Sequence, residues 1–88
     1  MYRYCAFSKN YILEDGEAYR GYGIVCTLGE GERARQIACV EDISCDGDAV
    51  AALAARCTAG NLSPMHLLDV VEDWLLTQEF PEPTSADI

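Results

Sequence analysis

Residues 62–76, reading Leu62-Ser63-Pro64-Met65-His66-Leu67-Leu68-Asp69-Val70-Val71-Glu72-Asp73-Trp74-Leu75-Leu76, constrain the fold more than any other stretch. Ser63 stands where an N-cap hydroxyl accepts a hydrogen bond from a free backbone N–H. Pro64 follows at the first helical position, where a missing N–H costs nothing. Leu62 and Leu67 have the spacing of a hydrophobic staple. Leu67, Val70, Val71, Trp74 and Leu75 then recur at helical intervals, flanked by Leu68, with Asp69, Glu72 and Asp73 opposite. The spacing predicts an amphipathic helix that needs a partner surface, and such a helix is a structural anchor rather than an active site.

The surface it packs on comes earlier in the chain. Residues 2–9 alternate loosely and are rich in tyrosine, which favours a strand; Tyr11, Ile12 and Leu13 extend it, and Asp15-Gly16 reads as a hairpin turn. A second strand, about 17–28, places Tyr22, Ile24, Cys26 and Leu28 on one side. Gly21 and Gly23 weaken it, which points to a close neighbour or a bulge. After the turn Gly29–Glu32, a third strand runs over about 33–43. The covered face is expected to hold Phe7, Tyr22, Ile24, Cys26, Ile37 and Cys39. Ser44 or Asp46 is placed to cap a first helix over about 47–59, with Val50, Leu53, Ala54 and Cys57 as its stripe and Gly60 as a left-handed stop. The short link to Ser63 makes the two helices a hairpin. The reading is therefore α+β: a three-stranded antiparallel meander followed by a two-helix hairpin packed on one face, β-β-β-α-α. Residues 1–78 form one compact domain, and the proline-containing acidic stretch 79–88 reads as a disordered tail.

Composition narrows the functional classes. The chain has 88 residues, half of them apolar, enough for one core near the lower size limit for independent folding. No apolar run approaches the length of a membrane span, and Met1–Cys5 lacks the apolar region of a secretory signal; a cytoplasmic setting is expected. Six basic residues against 15 acidic ones give a net charge of −9, which repels phosphate backbones and anionic lipid. Neither nucleic acid nor membrane is an expected partner. The five cysteines, Cys5, Cys26, Cys39, Cys45 and Cys57, are odd in number and contain no Cys-x-x-Cys pair. They fit buried thiols better than a disulfide scaffold.

Tyr22-Gly23-Ile24 on a strand, Glu41-Asp42-Ile43-Ser44 before a helix, and Leu62-Ser63-Pro64-x-His66-Leu67-x-Asp69-Val70-Val71-Glu72-Asp73 occur in that order. In this the chain is similar to a family of short uncharacterised proteins from anaerobic Gram-positive bacteria. The resemblance covers roughly residues 2–77 and is most specific in the second helix and its cap. It implies a compact domain in a bacterial cytoplasm. It carries over no activity and no catalytic or binding residue.

The residues themselves offer little chemistry. His66, the single histidine, has carboxylates such as Asp69 as its local neighbours, and it sits at a helix start that disfavours imidazolium. Its simplest role is to fix that start. Cys5, Cys26 and Cys39 on adjacent strands, with His66, compose the one conceivable metal or redox set. Zinc sites, however, draw paired ligands from tight turns, whereas these thiols stand singly at apolar strand positions. Glu72-Asp73 point about 100° apart on a helix and do not converge. Asp46 and Asp48 are explained by capping and the helix dipole. Gly29-Glu30-Gly31-Glu32 joins two strands and carries acids without a lysine, so it is no phosphate loop. No catalytic residue, cofactor or metal is therefore assigned. Met65 and Leu76 project from the polar side of the second helix and, with Trp74, are the candidate partner-binding residues; the first or third strand also leaves a sheet edge for pairing. The expected function is a small non-enzymatic protein-interaction or regulatory domain that binds another protein or itself, with the thiol module as the alternative.

Overall fold

The computed structural model describes residues 1–79. The expected tail lies outside the described residues, except that Glu79 closes the last helix. Strands β1 (Tyr2–Ile12), β2 (Ala18–Leu28) and β3 (Arg35–Ser44) form one antiparallel sheet in the order β1-β2-β3. Helices α1 (Gly47–Ala59) and α2 (Leu67–Glu79) follow, giving the α+β, β-β-β-α-α arrangement. No helix among the described residues is long and apolar enough to cross a membrane.

Local chemistry accounts for the joints. The first hairpin closes with Gly16 N–H donating to the Leu13 carbonyl (3.0 Å) and Glu17 N–H donating to Asp15 Oδ1 (2.9 Å), with Gly16 at φ +91°. This is the turn-plus-glycine geometry that suits strand twist. Asp46 caps α1 by accepting from Ala49 N–H at 3.1 Å, and Ser44 Oγ in turn accepts from Asp46 N–H at 3.0 Å. At the far end of α1 the expected left-handed residue is displaced by one. Gly60 keeps φ −86° and Asn61 takes φ +50°. Asn61 N–H then reaches the Thr58 carbonyl and Leu62 N–H the Cys57 carbonyl, each at 3.0 Å, which satisfies two helix-end carbonyls. Asparagine tolerates this conformation because its Cβ carries a short polar group.

The start of α2 also differs from expectation. Pro64–His66 forms a 3₁₀ turn in which His66 N–H donates to the Ser63 carbonyl at 2.9 Å, and the Ser63 hydroxyl makes no capping bond. The α-helix proper begins at Leu67. The tighter turn satisfies the orphan N–H through the backbone, leaving the hydroxyl nothing to cap. The apolar spacing of the expected staple survives: Leu62 packs against the core and Leu67 is fully buried.

The core lies between the helices and one sheet face. Tyr4, Ile24, Cys26 and Ile43 from the sheet meet Val50, Leu53, Ala54 and Cys57 from α1 and Leu67 and Val71 from α2. Of the expected covered face, Tyr22, Ile24 and Cys26 are on it, but Phe7, Ile37 and Cys39 are not. Tyr4 pairs with Cys26 and Ala6 with Ile24, so the even-numbered residues of β1 face the helices and Phe7 faces away. Both sides of β1 carry aromatic residues, so alternation alone could not set the phase. In β3 the ladder steps from Cys26↔Ala38 to Thr27↔Gln36, leaving Ile37 unpaired in a bulge and 39 % exposed. Cys39, opposite Val25, shares Val25's outward side. A second irregularity between Ile24↔Val40 and Tyr22↔Ser44 contains Asp42 at φ +54°. It reverses the phase of β3, so that Val40 and Ile43 both reach the core despite their odd separation.

Candidate interaction surface

The helices cover one side of the sheet and leave the other open. Arg3, Cys5, Phe7, Lys9 and Tyr11 of β1 lie on the open side, beside Tyr19, Val25 and Thr27 of β2 and Cys39 of β3. Phe7 crosses the central strand: a Cβ built on Gly23 would stand 2.8 Å from its ring and against the Val40 carbonyl. Glycine at 23 therefore leaves room for the Phe7 ring and the Val40 carbonyl to approach β2, which answers one of the two glycine anomalies in the sequence. Beside it a shallow groove of about 330 Å³ is lined by Phe7, Val25, Gln36, Cys39 and Glu41. One face of an antiparallel sheet commonly meets water, but it then carries polar side chains. Here the half-buried Phe7, Tyr11, Tyr19 and Val25 make an aromatic and apolar strip among Arg3, Lys9, Thr27, Gln36 and Glu41.

The second glycine is answered at the hairpin end of this face. A Cβ on Gly21 would sit 2.6 Å from Asp42 Oδ1 and 2.9 Å from the Tyr11 ring. The left-handed Asp42 brings its carboxylate over Gly21, where Tyr19 Oη donates to Oδ2 at 2.7 Å. That hydrogen bond, with the desolvation and negative charge around the ring, pushes Tyr19 up to about 12. Tyr11 stacks on Tyr19 with ring centroids 5.4 Å apart. Its hydroxyl donates to Glu41 Oε1 at 3.4 Å, and desolvation followed by the Glu41 charge raises its pKa. Lys9 Nζ pairs with Glu41 at 3.4 Å and lies 5.7 Å from the Tyr11 centroid. Both phenols thus keep their protons through the neutral range.

The sheet edges offer less than the sequence suggested. Thr58 Oγ1 accepts from Tyr4 N–H at 2.9 Å and lies 3.1 Å from the Tyr4 carbonyl, while Asn61 Oδ1 accepts from Tyr2 N–H at 3.4 Å. The C-terminal end of α1 therefore seals the first part of the β1 edge. The β3 edge is broken by its two bulges, a device that blocks strand addition.

The residues selected from sequence are placed as follows. Met65 is 79 % and Leu76 57 % exposed, on the 3₁₀ turn and on α2. Trp74 is half-buried and packs against the core, about 200° around α2 from Leu76 at 100° per residue, so the two share no patch. Leu68, 54 % exposed, precedes Leu76 by two helical turns, about 12 Å along α2. Cys26 is buried under the helices, whereas Cys5 and Cys39 are exposed on the opposite sheet face and His66 is exposed on the 3₁₀ turn. The four candidate ligands of the thiol alternative are not brought together. Cys5 and Cys39 flank Val25, two strand spacings apart at roughly 10 Å, too far for a disulfide. Among the described residues no three His, Cys, Asp or Glu side chains gather to hold a metal ion. Burial pushes the Cys57 thiol up, against the opposing charge of Arg56, and burial with the Glu41 charge raises Cys39. Neither thiol is an activated nucleophile.

The open face was invisible to sequence reasoning because the phase of β1 and the bulges of β3 assign it. The pairing of a strand phenylalanine with Gly23 was the one signal that could have found it. No curated protein and no solved structure matches this chain. A family model does match it over residues 2–77, and by that match, which spans both the sheet and the helix hairpin, the chain belongs to DUF6514, a family of unknown function.

Proposed function

We propose that this chain is a small non-enzymatic protein-interaction or regulatory domain working in the cytoplasm of an anaerobic Gram-positive bacterium, and that its working surface is the open sheet face. One observation carries the reading: a sheet face left without helices bears a half-buried strip of Phe7, Tyr11, Tyr19 and Val25 among its polar side chains. Interfaces are enriched in tyrosine and phenylalanine, whose large rigid rings bury area at low entropic cost. The exposed Met65, Leu68 and Leu76 on the helix side are a second, smaller apolar feature. Capture from a cell extract with immobilised full-length chain separates the two. A protein retained by the wild type and by Leu76→Asp but released by Val25→Lys places the surface on the sheet. Capture by Val25→Lys equal to wild type refutes that placement, and loss with Leu76→Asp alone moves the surface to α2.

A further inference from the structure

We infer that the free half of the β1 edge, from Ala6 to Ile12, takes an extended segment of a basic partner protein as a fourth strand. The backbone dictates the partner's shape. Tyr4 turns its N–H and carbonyl away from β2 and toward Thr58, and the register with β2 is unbroken along the whole strand. Residues two apart share that direction, so Ala6, Ser8 and Asn10 also present their N–H and carbonyl outward. None of these groups meets a partner among the described residues. A second extended backbone supplies acceptors and donors at that spacing. The edge is separate from the open sheet face and can bind whether or not that face does.

The path of α1 explains why this half of the edge is free. The helix begins over β2, where a Cβ on Gly47 would stand 2.7 Å from the Tyr22 ring, and ends at the β1 edge, where Thr58 bonds Tyr4. Crossing the sheet in this way, it leaves a groove of about 430 Å³ between Ala6 and Ser8 of β1 and Asp48 and Ala51 of α1, with Tyr22 as its aromatic lining. An incoming strand points alternate side chains to this side, and the groove takes an apolar one. Ile12, on the same side of β1 and 76 % exposed, offers a second apolar contact about 20 Å further along. The usual guards of an edge are missing. Residues 6–12 contain no proline and no bulge, and Lys9 reaches across the open face to Glu41 at 3.4 Å. Charge selects the occupant. Glu14, Asp15, Glu17 and Asp48 border the groove and the hairpin against Arg20, with Lys9 held by Glu41. A basic segment is drawn to such an edge, whereas a second copy brings its own net charge of −9.

Selection of random phage-displayed peptides of about 10 residues, the length of a long strand, on the immobilised full-length chain tests this, with affinities of the synthetic peptides read by fluorescence anisotropy. The expected peptides carry Lys or Arg, and their binding slows hydrogen exchange at the Ala6, Ser8 and Asn10 amides. Ser8→Pro removes one outward N–H and leaves the β1–β2 ladder intact, and it weakens them at least about tenfold. Ala51→Arg, on the exposed side of α1, narrows the groove and repels a basic segment, and so decides the matter if Ser8→Pro fails to fold. Selection without enrichment overturns the inference, as do peptides indifferent to both variants or free of basic residues. Peptides released by Val25→Lys but kept by Ser8→Pro lie on the open face and overturn the edge as their site. A wild type that dimerises in sedimentation equilibrium while Ser8→Pro stays monomeric makes a second copy the occupant and overturns the basic partner.

Discussion

Thr58→Val tests the joint that locks the helix layer onto the sheet. The Thr58 hydroxyl accepts from Tyr4 N–H at 2.9 Å and stands 3.1 Å from both the Tyr4 and the Ala54 carbonyls. Tyr4 itself is 3 % exposed and donates from its phenol to the Leu62 carbonyl at 2.5 Å, so β1, α1 and the inter-helix turn meet at this point. Valine preserves the shape and nearly the helix propensity of threonine. The substitution therefore isolates the polar loss. Tyr4 N–H is left without a partner in a place water reaches poorly, which costs about 1–3 kcal/mol. A chain this small has a total stability of the order of 5 kcal/mol, so about 2 kcal/mol lowers Tm by roughly 8–16 °C. Thr58→Ser keeps the oxygen and removes only a methyl, at a cost of about 1 kcal/mol or less. Urea unfolding followed by Trp74 fluorescence measures both. The reasoning is refuted if Thr58→Val is as stable as Thr58→Ser, since the hydroxyl would then contribute nothing beyond its volume.

Three further outcomes follow from the helix ends and the titrating groups. Asp46→Ala should cost about 0.5–2 kcal/mol through loss of the Ala49 N–H bond, while Ser63→Ala should lie within roughly 0.5 kcal/mol of wild type, because its hydroxyl caps nothing. Equal costs in thermal melts would restore Ser63 as a cap. Alkaline pH should destabilise the fold. Tyr4, Tyr19 and Cys57 are all held above their ordinary values, 10.0 for the phenols and 9.0 for the thiol. Burial is the leading cause for Tyr4 and Cys57, and the Asp42 hydrogen bond for Tyr19. Below about pH 9 their contribution is fully present. As pH rises, the unfolded chain releases these protons first, so stability falls progressively toward the folded pKa values. A Tm that is flat or rising from pH 8 to 11 would contradict this. In the phenolate absorbance titration, Asp42→Asn should bring Tyr19 back down from about 12.

Much of the fold was legible because its signals are local. The Asp46 cap, the alanine-rich stripe of α1, the 62–76 periodicity and the Asp15-Gly16 turn each act within a few residues, and the structure keeps all of them. What the sequence misassigned lies where two local solutions are nearly equal in energy. Gly60 and Asn61 can each end α1, and Asn61 takes the left-handed role because Leu62 must turn into the core. Ser63 can cap by side chain or by carbonyl, and the 3₁₀ turn selects the carbonyl.

The sequence by itself determined which segments are strands and helices, their order, and the acidic outer face of α2. Only the tertiary structure decided which side of the sheet each strand residue serves. Strand phase has a period of two, so a single bulge or a choice between two tyrosine-bearing faces inverts it. That choice is settled by contacts across the whole chain: Tyr4 bonding to Leu62 and Thr58, Phe7 lying over Gly23, and Asp42 filling the space above Gly21. The candidate surface depends on these long-range contacts, which is why the helices could be read from the sequence and the open face could not.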